Sequence, residues 1–312
     1  ACLVGSEMCI RDSFFAIQNA VFGVDADSRL FVQGSLAFTG NLNLYMGQLA
    51  AGGTLIAEDV FLPGKWEQVM ARERANGIYL IPSKLLMLPR VFKGVNANIR
   101  TIISGSQSLG RKDAEVLKKI FPNTEITLYY GASELNYITY VKSADMTEER
   151  NLIGKPFPGV RVFIQDDEMY VDNAFHVENI TVPYSLKDSG RMDLQGNFYF
   201  LGRTDDIVGV RGRKVSMMKI ENALEEVTGI TEAAVVLLPK EKDADMPAEI
   251  VSAFVTVEGT DVPENLRQQL KEKLADFEIP KRVIVLEAFP KNTSGKVDKA
   301  RLKKMWIEQE PQ

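Results

Sequence analysis

Residues 198–215 read FYFLGRTDDIVGVRGRKV. The stretch opens as an aromatic, alternating run, breaks at Gly202, and then sets Arg203 ahead of the paired carboxylates Asp205 and Asp206. A second alternating run, residues 208–215, carries Arg211, Arg213 and Lys214 around Gly212. Apolar patterning of period two, interrupted by glycine and charge, predicts strand, polar break and glycine-bent strand. The stretch therefore reads as a joint with a folded unit on each side.

Upstream of the joint, short apolar runs alternate with helical patterns. Residues 28–39 and 54–57 read as strands around a helix at 40–49, which Ala50-Ala51-Gly52-Gly53 stops. A helix at 66–75, a strand at 77–81, a helix at 83–91, a strand at 99–104, a helix at 111–120 and a strand at 125–130 follow. This alternation argues for a parallel α/β sheet, and ligands in open sheets of that kind gather beyond the carboxyl ends of the strands. Two turns lie at such ends, one at residues 104–109, which holds Gly105 and Ser106, and one at residues 131–134. From Gly154 the period shortens to strands at 160–164, 168–171 and 175–182, which predicts a small β-barrel.

Downstream of the joint, a helix at 217–227, strands at 233–239 and 249–257, a helix at 263–275, a strand at 282–287 and a last helix after Lys296 predict a compact α+β unit. The expected organisation is a partial α/β subdomain (residues 14–153), a β-barrel-like subdomain (154–204) and a C-terminal α+β domain (205–312) joined by a hinge.

With 312 residues the chain has room for more than one core. Its 45% hydrophobic and 25% charged residues are ordinary globular values. A net charge of −5 gives no electrostatic reason to expect nucleic acid or an anionic membrane. No apolar run reaches the roughly 18 residues that a membrane-spanning helix needs. The two cysteines, Cys2 and Cys9, leave the rest of the chain without thiols, which excludes a disulfide framework and fits a reducing, cytoplasmic compartment. Residues 1–13, ACLVGSEMCIRDS, have neither the basic start nor the apolar stretch of a signal peptide, and they read as translated sequencing-adapter sequence outside the fold.

Four stretches carry the functional reading. In chain order they are Tyr130-Gly131-Ala132-Ser133-Glu134, Asp188-Ser189-Gly190-Arg191, the Gly202-Arg203-Thr204-Asp205 joint with its basic hairpin, and Pro290-Lys291-Asn292-Thr293-Ser294-Gly295-Lys296. In that order they resemble the adenylate-forming enzymes, that is, the acyl-CoA synthetases and the carrier-protein adenylation domains. The resemblance covers about residues 25–305.

Activating a carboxylate with ATP brings two anions together, so the site needs positive charge, hydrogen-bond donors, a metal and fixed geometry at the α-phosphate. The resemblance implies that Tyr130 packs on adenine, with Gly105, Ser106 and Gly131 along the nucleotide. It implies that Ser133 contacts the α-phosphate, Glu134 holds Mg²⁺, Asp188 grips the ribose hydroxyls, and Arg203 donates to ribose or phosphate. Lys296 would be the catalytic lysine, reaching both the acyl carboxylate and the phosphate, and Asp205 the hinge. Gly212 would line a pantetheine channel, while Arg211, Arg213 and Lys214 meet the phosphates of coenzyme A. Phe38 and Leu135 would border the acyl pocket. Taken singly, each of these charges reads as a solvated surface group, and the single histidine, His176, reads as structural.

Three departures from the family pattern stand out. No Ser/Thr-Gly-x-x-Gly-x-Pro-Lys phosphate loop precedes residue 14, which implies that this chain lacks part of the ATP site and is inactive alone. Phe38 lies where many members carry an aromatic-histidine pair, and Gly209 where a lysine is common. The implied activity of the intact protein is ATP- and Mg²⁺-dependent joining of a small carboxylic acid to coenzyme A. The alternatives are loading of a carrier protein and a non-catalytic nucleotide- or partner-binding remnant. A P-loop kinase is disfavoured, since no G-x-x-x-x-G-K-[ST] run occurs.

Overall fold

The computed structural model describes residues 8–204, 207–210, 213–240, 249–292 and 297–308. The chain divides into two compact units, Ala1–Phe200 and Leu201–Gln312.

The first unit runs α1 (Met8–Phe22), β1 (Arg29–Val32), α2 (Thr39–Ala50), β2 (Thr54–Ala57), α3 (Pro63–Arg72), β3 (Gly77–Tyr79), α4 (Pro82–Leu85), α5 (Leu88–Val91), β4 (Thr101–Gly105), α6 (Arg111–Ile120) and β5 (Glu125–Ala132). Strands β1 to β5 pair in parallel in the order β2-β1-β3-β4-β5. Successive residues serve opposite faces. Ile102 joins a core with Trp66, Leu117 and Phe121, while Ile103 joins one with Phe14, Leu44 and Tyr137. A sheet covered on both faces needs near-continuous apolar strands, and each fully buried large side chain contributes roughly 1.5–3 kcal/mol.

The sheet continues through β6 (Asn136–Lys142), β7 (Leu152–Pro156), β8 (Val160–Gln165), β9 (Glu168–Asn173), β10 (Tyr184–Met192) and β11 (Phe198–Arg203). The order beyond β5 is β6-β7-β11-β10-β9-β8, and the described ladders there are antiparallel. The part expected as a small β-barrel is thus an antiparallel run whose hydrogen bonding is continuous with the parallel sheet.

The second unit holds a hairpin, β12 (Ile207–Val210) and β13 (Arg213–Ser216), then α7 (Met217–Glu225), β14 (Ile230–Pro239), β15 (Glu249–Val257), α8 (Leu266–Lys271), β16 (Arg282–Val285) and α9 (Lys299–Glu308). Ser216 caps α7 by accepting from the Lys219 N–H at 3.3 Å. β14 and β15 pair antiparallel and β15 and β16 parallel, giving the expected α+β unit. Ile220, Leu224, Val235 and Leu270 pack one face of this sheet, and Val236, Phe254 and Leu302 the other.

Several elements differ from the sequence-based expectation. The helix expected at 83–91 is two short helices, because Pro89 has no N–H for an uninterrupted hydrogen-bond ladder. The strand expected at 28–39 ends at Val32, where Ser35 turns the chain by accepting from the Ala37 N–H at 3.2 Å and the Phe38 N–H at 3.3 Å. Residues 175–182 do not form a strand. The Phe175 N–H is taken by the Asn173 side chain at 3.0 Å, and the next strand is Tyr184–Met192. Helix α1 begins at Met8, inside the segment set aside as lying outside the fold.

Candidate functional site

The carboxyl ends of β4 and β5, with the loop into α2, bring most of the first unit's expected residues together. Gly105 ends β4, and a Cβ there would stand 2.5 Å from the Tyr129 ring, so only glycine fits. Ser106 follows, exposed and at φ +70. Gln107 anchors this loop by accepting from the Ser83 N–H at 2.9 Å.

β5 runs through Tyr130 and Gly131 into a three-residue turn, Ser133 to Leu135, before β6 returns. The ladder shifts register between Tyr130 and Gly131. A Cβ on Gly131 would lie 2.4 Å from the Asn136 carbonyl oxygen, so this position too requires glycine. Ser133 and Glu134 are half-buried on the turn. Thr39, in the first turn of α2, donates its hydroxyl to Ser133 Oγ at 3.2 Å.

Asp188 reaches the same neighbourhood from β10. Along that strand the register slips between Ser185 and Ser189, and Lys187 adopts φ +60. Asp188 and Ser189 are both buried just beyond this irregularity. Asp188 is 8% exposed and accepts a hydrogen bond from the Tyr130 hydroxyl, while the Tyr130 ring lies 5.8 Å from that of Phe200.

Beneath these groups lies a stack of buried tyrosines that sequence reasoning missed. The Tyr79 and Tyr129 hydroxyls are 2.8 Å apart, the rings of Tyr129 and Tyr137 are 4.4 Å apart, and Tyr137 donates to the Gly40 carbonyl at 3.0 Å. Burial pushes the Tyr129 phenol up to about 12 against the partly opposing bond from Tyr79, and it raises Tyr79 and Tyr137 as well. A tyrosine in an apolar run gives no local sign of such a cluster. The sheet register assembles it.

The remaining expected residues have other settings. Leu135 is fully buried in the core with Phe14 and Tyr137, and Phe38 is 44% exposed ahead of α2. His176 keeps a local role, with Nδ1 donating to the Val177 carbonyl at 2.8 Å. In the second unit, Arg203 is exposed at the end of β11, and Arg213 lays its guanidinium over the Phe277 ring at 4.7 Å. Lys214 stands opposite Gly209 in the hairpin ladder. Asp205, Arg211, Gly212 and Lys296 lie outside the described residues.

A nucleotide with its metal fits this arrangement on chemical grounds. Asp188 is a buried carboxylate with an adjoining hydroxyl, suited to a diol. The close packing at Gly131 keeps the chain without a side chain beside the Ser133 turn. Among the described residues no group of three or more acidic, histidine or cysteine side chains gathers as a dedicated metal cage. A single carboxylate such as Glu134 suits Mg²⁺, which binds through one or two carboxylates together with phosphate oxygens and water.

Comparison with known proteins points the same way. Residues 9–174 match the family described as AMP-binding enzyme, and residues 219–296 the one described as AMP-binding enzyme C-terminal domain. An uncharacterized acyl–CoA ligase, YhfT of Bacillus subtilis (strain 168), is 25% identical over 318 residues, covering 96% of this chain and 64% of that protein. A linear gramicidin synthase from Brevibacillus parabrevis is 26% identical over 319 residues, covering 91% of this chain and 6% of that protein. Among solved structures, the ATP-bound RpMatB-BxBclM chimera B1 superposes with a TM-score of 0.81 at 23% identity, over 96% of this chain and 64% of the other, a likeness of fold. The chain thus spans less than two thirds of the length of the acyl–CoA ligase it matches.

Proposed function

The chain belongs to the AMP-binding enzyme family of adenylate-forming ligases, and on that premise we propose that the intact protein activates a small carboxylic acid with ATP and passes the acyl group to coenzyme A. The observation that carries this reading is the Tyr130 hydroxyl donating to buried Asp188 next to the turn that holds Ser133 and Glu134.

In the first step a carboxylate oxygen attacks the α-phosphorus of ATP. The bond to the β-phosphate oxygen breaks, and acyl-adenylate and pyrophosphate form. Asp188 accepts from the ribose hydroxyls, Gly105, Ser106 and Tyr130 line the base, and the Ser133 hydroxyl donates to the α-phosphate. Glu134 would hold Mg²⁺, which when bound neutralises charge on the phosphate oxygens. Lys296 would stabilise both reacting anions. In the second step a thiolate attacks the acyl carbon, the bond to the AMP oxygen breaks, and the thiol proton has left to solvent. We assign Asp205 as the hinge between the two poses, Arg203 to the nucleotide, Arg211, Arg213 and Lys214 to coenzyme A phosphates, and Gly212 to the pantetheine channel. Phe38 borders the acyl site, and the cysteine usage suits the cytoplasm. The match to a gramicidin synthase supports a second reading, in which a carrier-protein phosphopantetheine is the acceptor.

The test is acid-dependent exchange of pyrophosphate into ATP by the full-length protein across a panel of acids. Exchange is expected with at least one acid, and Lys296→Ala should lower it about a hundredfold or more. Exchange by Lys296→Ala at the unaltered rate removes the lysine from the mechanism. Offering coenzyme A and a phosphopantetheinylated carrier in parallel separates the two acceptors.

A further inference from the structure

Three buried asparagines bracket the Ser133 turn: Asn43 on α2 is 1% exposed, Asn136 at the start of β6 is 8% exposed, and Asn173 at the end of β9 is 4% exposed. Each is buried, where an unpaired amide group costs about 1–3 kcal/mol. Each of the three donates its amide Nδ2, although Asn43 Oδ1 has no partner among the described residues, and the donated bonds converge on one place. Asn43 Nδ2 donates to Asn136 Oδ1 at 2.8 Å, and Asn136 Nδ2 donates to the Phe175 carbonyl. Asn173 Nδ2 donates to the Leu135 carbonyl at 3.0 Å, while its Oδ1 accepts the Phe175 N–H at 3.0 Å. The Val177 N–H completes the set by donating to the Glu134 carbonyl at 2.9 Å.

Both carbonyls that follow Ser133 are therefore held by one segment, residues 173–177, and that segment is fixed by the asparagines themselves. On the opposite side α2 holds the turn twice, through Thr39 to Ser133 and through Asn43 to Asn136. Asn136 adopts φ +57, a conformation that asparagine tolerates better than most side chains. It lets one side chain leave the turn towards both anchors.

We propose that Asn136 and Asn173 are positioning residues that hold the Ser133–Glu134 turn between α2 and residues 173–177 and thereby set where the Glu134 carboxylate meets the metal. This rests on the reading of Glu134 as the Mg²⁺ ligand. A partner one step behind a metal ligand typically changes metal affinity or activity about 10- to 100-fold when removed, and displacement by about 1 Å is enough to matter for an aligned reaction.

The experiment measures pyrophosphate exchange by the full-length protein as a function of Mg²⁺ and of pH, together with thermal stability and the Mg²⁺ dependence of ATP binding by calorimetric titration, for Asn136→Gly, Asn173→Asp and Glu134→Gln beside the unaltered protein. Asn136→Gly keeps the backbone conformation accessible and deletes both side-chain bonds. It should raise the Mg²⁺ concentration for half-maximal exchange about tenfold or more and leave the KM for the acid unchanged. Asn173→Asp keeps the acceptor for the Phe175 N–H. Its ionised form has no donor for the Leu135 carbonyl, and its protonated form does. The ratio of its activity to that of the unaltered protein should therefore rise as the pH is lowered. A purely structural role would lower thermal stability and the active fraction equally at every Mg²⁺ concentration, so an unmoved Mg²⁺ midpoint in both variants, without recovery in acid, overturns the proposal. Glu134→Gln separates the two levels. If it shifts the Mg²⁺ midpoint while the asparagine variants do not, only the positioning role fails; if it shifts nothing, the metal-ligand reading fails and this proposal with it.

Discussion

Gly105→Ala is the sharpest perturbation that the site's geometry offers. The added Cβ would lie 2.5, 2.6 and 2.7 Å from three carbons of the Tyr129 ring, whereas carbon atoms rest at about 3.5–4.0 Å. The overlap is therefore about 1 Å. The ring has no room to yield: it is 6% exposed, its hydroxyl is 2.8 Å from that of Tyr79, and its centroid is 4.4 Å from that of Tyr137. The end of β4 must move instead, carrying Ser106 with it. Overpacking of this kind costs about 1–3 kcal/mol, and a shift of about 1 Å in a positioned group costs on the order of a hundredfold in rate.

Equilibrium denaturation checks the first figure and pyrophosphate exchange by the full-length protein the second, with calorimetric titration of ATP beside them. Gly105→Ala should lose stability in that range, and nucleotide affinity with it. Tyr129→Leu removes the outer ring carbons that the new methyl meets, so the same Gly105→Ala change should cost less in that background, with a coupling of about 1 kcal/mol or more. Additive effects, or a Gly105→Ala protein as stable as its parent, would show that the Tyr129 ring does not press on this strand end.

Two further outcomes follow from the same region. The buried phenols of Tyr79, Tyr129 and Tyr137 keep their protons in the folded protein to higher pH than in the unfolded chain, so their contribution is intact below the unfolded value of about 10 and is lost as the pH rises through their raised folded values, about 12 for Tyr129. For Tyr129 alone the loss approaches 3 kcal/mol as an order of magnitude, to be read by denaturant titration at stepped alkaline pH alongside phenolate absorbance. All nine tyrosines titrating together near 10 in the native protein would contradict it. Asp188→Ala removes the acceptor of the Tyr130 hydroxyl and the expected ribose partner. ATP affinity should fall about ten- to a hundredfold, as for a hydrogen bond to a charged group, and Tyr130→Phe should lose less; unchanged affinity in Asp188→Ala would take this carboxylate out of the nucleotide site.

What the sequence made legible, and what it hid, follows from how each element meets its neighbours. β2, α6 and β15 lie at the residues expected of them, because a doubly covered strand is a continuous apolar run and a surface helix repeats its apolar face every three to four residues. β10 was hidden because YSLKDSGRM contains no alternation to read. Its register slip and the positive φ at Lys187 break the period, and the same break turns Asp188 inward to Tyr130. A residue presented by an irregular backbone is invisible to periodicity for the reason that makes it useful, and only its short motif marks it. The asparagines were hidden differently. Asn43 and Asn136 are 93 residues apart in sequence, and Leu135 and Asn173 are 38 apart, so neither pairing leaves a local pattern. The junction residue Asp205, the hairpin residues Arg211 and Gly212, and Lys296 lie outside the described residues, and for them the motifs remain the warrant. At Asp188 and at the asparagines alike, the buried polar side chain makes a hydrogen bond to the Ser133–Leu135 turn, to a residue beside it or to Tyr130. A buried polar side chain, on helix or strand, whose hydrogen-bond partner lies far along the chain is therefore the feature by which the rest of such a site can be searched for.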